Sequence, residues 1–180
     1  MNDRQSQIMD AAIGLFLKDG VGVSTAAIAK AAGVSNGTLF HAFPTKQALI
    51  DHIYLSVKAS FFAAIALREG EAFNRAALKR LWRAHLTWAR ANPQHNKIKR
   101  LLFEAGLASP DAQTKADAMG LAHLNWMSGA LDRGQIRGPS IGFIAELTFV
   151  HIDLVIDQSL TGADADLAFD MLCNAIGLDA

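Results

Sequence analysis

Asn36, Thr38, Phe40 and His41 crowd into a segment of nine residues that opens on Ser35 and stops before Pro44. An amide, a hydroxyl, an aromatic ring and an imidazole on one short helix can meet base edges in a groove, by hydrogen bonds and by apolar contact. They are not the set that bond-making chemistry requires. The six histidines are scattered rather than paired at metal-ligand spacing, and the chain contains no HExxH, GxSxG, P-loop or GxGxxG pattern. Glu104, Glu146 and Asp153 could meet through folding, yet nothing in their spacing demands it. The reading is therefore of a protein that is not an enzyme and calls for no cofactor or metal. Cys173 is the single cysteine, which excludes an internal disulfide framework and fits a small buried residue in a reducing compartment.

Charge gives little direction. Lys and Arg together balance Asp and Glu at 17 each over 180 residues, so no global basic field advertises a nucleic-acid partner. The split between the two parts of the chain is equally slight. Up to Lys58 there are Arg4, Lys18, Lys30, Lys46 and Lys58 against Asp3, Asp10, Asp19 and Asp51. Any DNA contact must come from local geometry.

That geometry is legible around the opening segment. Ser24 stands where a helix N-cap belongs, ahead of a short helix from Thr25 to about Ala32 that Gly33 ends through a left-handed turn residue. Ala29 and Ala32 are small enough for a close helix crossing. Ser35 can cap the next helix, running from Asn36 to about Ala42, and Pro44 pushes Phe43 out of helical geometry. Val34 and Leu39 plug the junction from inside. Asn36, Thr38, Phe40 and His41 are then left outward, the arrangement of a helix-turn-helix.

The remaining pattern is helical almost throughout. Ile8, Ala12, Leu15 and Phe16 form the stripe of a first helix that stops at Gly20, and Thr45 caps a fourth whose apolar face is Ile50, Ile53, Tyr54, Val57 and Phe61. Further helices are expected from about 72 to 91, 94 to 105, 111 to 132, 141 to 160 and 164 to 176, about nine in all. The expected class is all-α, an N-terminal three-helix helix-turn-helix domain over 1–46 followed by a helical domain over 47–180.

Three linked segments carry a family resemblance: Ile8-Met-Asp-Ala-Ala-Ile-Gly-Leu-Phe16, Ile28-Ala-Lys-Ala-Ala-Gly-Val-Ser35, and Gly37-Thr-Leu-Phe-His-Ala-Phe-Pro-Thr-Lys46 with Ala48-Leu49. Ordered and gap-free over roughly the first 55 residues, they closely resemble the N-terminal domain of TetR/AcrR-family transcriptional regulators. The resemblance implies a homodimer, commonly a repressor, whose two third helices enter successive major grooves of a palindromic double-stranded operator. It implies DNA contacts at Ser24, Thr25, Ser35, Asn36, Gly37, Thr38, Phe40, His41 and Lys46, and a C-terminal domain that binds a small-molecule effector. Two residues depart from the pattern. The family usually has tyrosine where Phe40 stands, so a hydroxyl-to-phosphate bond worth about 1 kcal/mol is lost. Ala26 stands where some members place a base-reading arginine.

Beyond about residue 60 the similarity fades and the residues speak alone. Ile141, Ile144, Thr148, Ile152 and Val155 make one apolar stripe on a helix, and Leu147, Val150 and Leu154 make another, so this helix needs two partners. Leu167, Ala168, Met171, Leu172 and Ala175 line the last helix. Pairing of the helices at about 141–160 and 164–176 with their symmetry mates is expected, against the plainer option of a helix central within one monomer. An unknown small apolar or amphipathic effector is expected among Phe61, Phe62, Trp82, His85, Trp88, Phe103, His123, Trp126 and Met127, residues that could equally be ordinary core.

Plain alternatives stand beside the DNA contacts too. Ser24 and Ser35 would be caps in any helical protein, Lys46 could be merely solvated, His41 merely exposed, and Phe40 could be core. A helix-turn-helix-derived interaction module lacking DNA binding is the competing function. The first ten residues are polar, and the most apolar run, Ile141 to Ile156, is broken by Glu146, His151 and Asp153. A cytoplasmic protein without a membrane partner is the expectation.

Overall fold

Turn chemistry sets the helix boundaries in the computed structural model, which describes residues 3–178. Gly20, at φ +80°, ends α1 (Asp3–Asp19). The chain then builds α2 (Thr25–Ala31), α3 (Asn36–Ala42), α4 (Lys46–Ala64), α5 (Arg75–Ala91), α6 (Pro93–Glu104), α7 (Pro110–Asp132), α8 (Ile141–Asp157) and α9 (Gly162–Ala175). Among the described residues these are nine helices with no strand, as the all-α reading expects. Caps explain the starts. Asn74 Oδ1 accepts from the Ala77 amide at the head of α5, Pro93 occupies the first turn of α6 where its missing N–H costs nothing, and Ser140 Oγ accepts from the Phe143 amide at the head of α8.

The chain divides into two compact units that do not follow sequence order. The first takes residues 1–60 and 92–117, the second 61–91 and 118–180. The helix-turn-helix segment over 1–46 lies whole within the first unit, which also includes α6 and the start of α7. There α1 packs on α2 and on α6, and α2 packs on α3. Ile8, Ala12, Ile13 and Phe16 of α1, Ile28, Leu39, Leu49, Ile53, Ile98 and Leu102 are all shut from solvent.

The second unit has its own core. Trp82 and Leu86 of α5, Ile144, Ile152 and Val155 of α8, and Phe169, Leu172 and Cys173 of α9 bury together with Phe73, Ala130 and Ile136. Arg75 pairs with Asp170 at 2.8 Å and Lys79 with Asp166 at 3.3 Å, pinning α5 to α9 along the rim. Such exposed pairs add little stability; the buried aromatic and aliphatic area holds the unit together. Cys173 is fully enclosed, and burial pushes its thiol pKa up.

α7 packs through small residues. Leu121 and Leu124 face solvent, while the buried positions of this helix are Ala112, Ala116 and Ala130. Small residues allow a neighbouring backbone or ring to come close, so the packed face here is the one with the least side chain. At Gly120 the ring of Phe62 lies so near that an added Cβ would fall 2.8 Å from it.

Candidate nucleic-acid interface

The residues that could read a groove are positioned by two caps and one tight turn. Ser24 Oγ accepts from the Ala27 amide at 3.2 Å and fixes the start of α2. At its end the Gly33 amide donates to Lys30 and the Val34 amide to Ala29, the paired bonds of a left-handed helix stop, and Gly33 takes φ +66° to make them. Ser35 Oγ then accepts from the Thr38 amide at 3.1 Å and lies 2.9 Å from the Thr38 hydroxyl. Both serines are caps, as either reading of them requires. The Thr38 hydroxyl is engaged in that cap, which leaves Asn36 as the first side chain of α3 free of such a bond among the described residues.

Leu39 is the pin. It is 0% exposed, and Phe43, also buried, adds its ring at 5.4 Å from that of His52. With Leu39 and Phe43 turned inward, Asn36, Gly37, Phe40 and His41 are exposed, and Thr38 is half-buried. Phe40 is 44% exposed rather than part of the core. Phe43 is extended (φ −138°, ψ 98°) ahead of Pro44, which stops α3 after two turns. Thr45 Oγ1 accepts from the Ala48 amide at 3.0 Å, so Lys46 becomes the first residue of α4, half-buried beside the exposed row. Thr25 opens α2 and is likewise half-buried.

A polar junction in the same unit was not foreseen. Asp51 Oδ1, on α4, accepts from Gln47 Nε2 at 2.9 Å and from the Ser109 amide at 2.8 Å, at the head of α7. Gln47 Nε2 also donates to the Leu107 carbonyl at 2.9 Å. Partial burial raises the Asp51 pKa, but the hydrogen bonds from Ser109 and Gln47 and the charge of Lys115 outweigh it, and the net direction is down. A group lowered in the folded state stabilises the fold above its unfolded pKa of about 4 and loses that contribution as pH falls through the folded value. Asp51→Ala is therefore expected to cost about 1–2 kcal/mol at pH 7. In urea unfolding, the gap between variant and parent should close as pH drops below about 4; a gap independent of pH would refute the assignment.

The residues expected to hold an effector fall into several places. Phe61, His85 and Trp88 meet in the second unit, the Phe61 ring lying 4.7 Å from His85 and 5.3 Å from Trp88, with Phe149 at 6.1 Å. Trp82 instead packs at 5.6 Å on Phe169 and 5.7 Å from His151. Trp126 lies 4.5 Å from Phe73 and donates Nε1–H to the Glu71 carbonyl at 2.8 Å. His123 Nε2–H donates to the Ile65 carbonyl at 2.8 Å, and Nδ1 is buried with no hydrogen-bond partner among the described residues. Met127 is half-buried against the second unit's core. Phe103 stands on α6 in the first unit, 56% exposed, with the Lys58 ammonium 5.2 Å over its ring. Phe73, Phe149, His151 and Phe169 are aromatic participants that sequence spacing did not single out. Their signal was present only as isolated rings without a recognisable period.

The geometry is that of an all-helical chain in which α2 and α3, each capped by a serine and joined through the Gly33 turn, form a helix-turn-helix. The sequence profile of the bacterial regulatory proteins of the tetR family matches residues 8–53. A structure from Shewanella sp. PV-4, described as a tetR family transcription regulator, superposes with a TM-score of 0.83 at 26% identity, over 97% of this chain and 98% of that one. A TetR family transcription regulator from Marinobacter aquaeolei VT8 shares the fold at a TM-score of 0.81 and 19% identity, over 96% and 95% of the two chains. Residues 8–53 thus match the N-terminal domain of the tetR family, and the chain as a whole shares its fold with tetR-family regulators. Among curated relatives it is similar to the nucleoid occlusion factor SlmA of Actinobacillus pleuropneumoniae, 30% identical over 119 residues, which are 64% of this chain. It spans 57% of that relative's length.

Proposed function

We propose that this regulator is a repressor that binds a palindromic operator as a homodimer and is released by a small-molecule effector. Residues 1–46 would supply the DNA-binding part and 47–180 the ligand-binding and dimerisation part. The observation that carries the reading is α3 itself, held by buried Leu39 with Asn36, Phe40 and His41 all turned to solvent. Phosphate contacts from the starts of α2 and α4, at Ser24, Thr25 and Lys46, would fix the register, and α3 would meet the bases.

Dimerisation is supported by a face that the protomer leaves uncovered. Val150 and Leu154 of α8 and Leu167 and Met171 of α9 are each more than half exposed, whereas Ile144, Ile152, Ala168 and Leu172 of the same helices are buried. A two-fold pairing would cover the exposed set. For the effector, the buried unpaired Nδ1 of His123 offers a place for a polar group, and Phe61, His85 and Trp88 supply an apolar setting, so the occupant would be amphipathic. Release then follows as a population shift, the effector lowering DNA affinity by the factor by which DNA lowers its own. Among the described residues no helix is long and apolar enough to cross a membrane, and the proposed location is the cytoplasm, with no catalytic role.

Selection of bound sequences from random duplexes by the purified protein tests this. A two-fold symmetric site, bound with an affinity that falls steeply as salt rises, is the expected result. No enrichment and no salt dependence would overturn the reading in favour of an interaction module.

A further inference from the structure

We infer that Phe40 is a specificity-determining residue that reads thymine through its C5-methyl group. The inference rests on the reading of α3 as the recognition helix and adds which base the ring selects.

Phe40 is the one large apolar side chain of α3 that the fold leaves in water. Leu39 beside it is fully enclosed and Phe43 is nearly so, yet Phe40 keeps 44% of its surface. Among the described residues no other ring and no cation stacks on it. Residues 36 and 40 are one helical turn apart, so Phe40 shares an outward row with Asn36, which is also exposed.

Its chemistry narrows what it can meet. A phenyl group neither donates nor accepts a conventional hydrogen bond, and its negative face gives nothing to a phosphate. The major groove presents a single apolar group, the thymine methyl, and an aromatic side chain is among those that pack on it. Asn36 adds a consequence. Its amide suits the N6 and N7 edge of adenine, and four residues of helix rise about 6 Å, close to two base-pair steps. The half-site should hold an adenine and a thymine within about two base pairs of one another.

The test uses the full chain and the operator recovered by selection. Each thymine of a half-site is replaced by uracil, singly, which deletes one methyl and leaves every hydrogen-bonding group in place. At one thymine per half-site the wild-type protein should bind about fourfold more weakly, the factor expected from one buried methyl. Phe40→Ala should bind thymine and uracil forms of that site equally, and Phe40→Tyr should keep the preference. Uracil tolerated at every position, or a preference that persists in Phe40→Ala, would overturn the inference while leaving DNA recognition intact. A selection that enriches no sequence would overturn both together. The uracil arm needs no protein variant, so the folding of Phe40→Ala does not decide the outcome.

Discussion

Leu39→Ala is expected to cost about 2–5 kcal/mol of folding stability and to abolish selective DNA binding. The side chain is 0% exposed at the centre of α3, and its removal leaves a cavity where α3 meets the interior of the first unit. A helix of seven residues has no stability of its own in water. It keeps its direction only through that anchor, Phe43 and the Ser35 cap. Against a typical total of about 5–15 kcal/mol the loss is a large share. Urea unfolding of the variant should show a lower midpoint, and the sequence selected by the parent should no longer be preferred over random duplex. A fully stable Leu39→Ala protein that still selects the same site would show that α3 is held by something else.

A charge placed on the uncovered face of α8 and α9 should have the second large effect. Val150→Glu combined with Leu167→Glu would set like charges around the two-fold axis of the proposed dimer, where each substitution occurs twice. Juxtaposed like charges at an interface cost several kcal/mol, which raises the dimer dissociation constant by roughly a hundredfold or more. Each protomer should remain folded, because both side chains are already more than half exposed within it. Sedimentation at micromolar concentration should report a dimer for the parent and a folded monomer for the variant. The monomer should bind a single half-site weakly, since the proposed operator would be addressed by two copies of α3. A parent that sediments as a monomer, or a variant that remains dimeric, would place the association elsewhere.

The legibility of the molecule from its residues varied with the range of the interactions involved. The α2–α3 element could be read because its determinants are local: Ser24, Gly33, Ser35 and Pro44 each act within a few residues, and Leu39 is the apolar position facing back across the turn. The same holds for α4, where Ile50, Ile53, Tyr54, Val57 and Phe61 bury as their spacing predicts. The packed face of α7 is harder to read, because its buried positions are the alanines at 112, 116 and 130, whereas Leu121 and Leu124 point to water. The bond between Asp51 and the Ser109 amide joins residues 58 positions apart, a separation across which no periodicity carries information. The polar heads of Trp126 and His123 are tied to the carbonyls of Glu71 and Ile65. Those acceptors are backbone atoms, invisible to any pattern of residue types.

The sealed thiol of Cys173 turns into an experimental convenience. The chain has one sulfhydryl, and the native fold hides it completely. A reagent that attacks thiolates finds nothing to modify on the folded protomer. A cysteine introduced on the outer row of α3 or on the open side of α9 would accordingly accept a fluorophore or spin label by itself, without first deleting a native sulfur. Separations between labelled twins, with and without duplex, could then be followed in an otherwise unaltered protein.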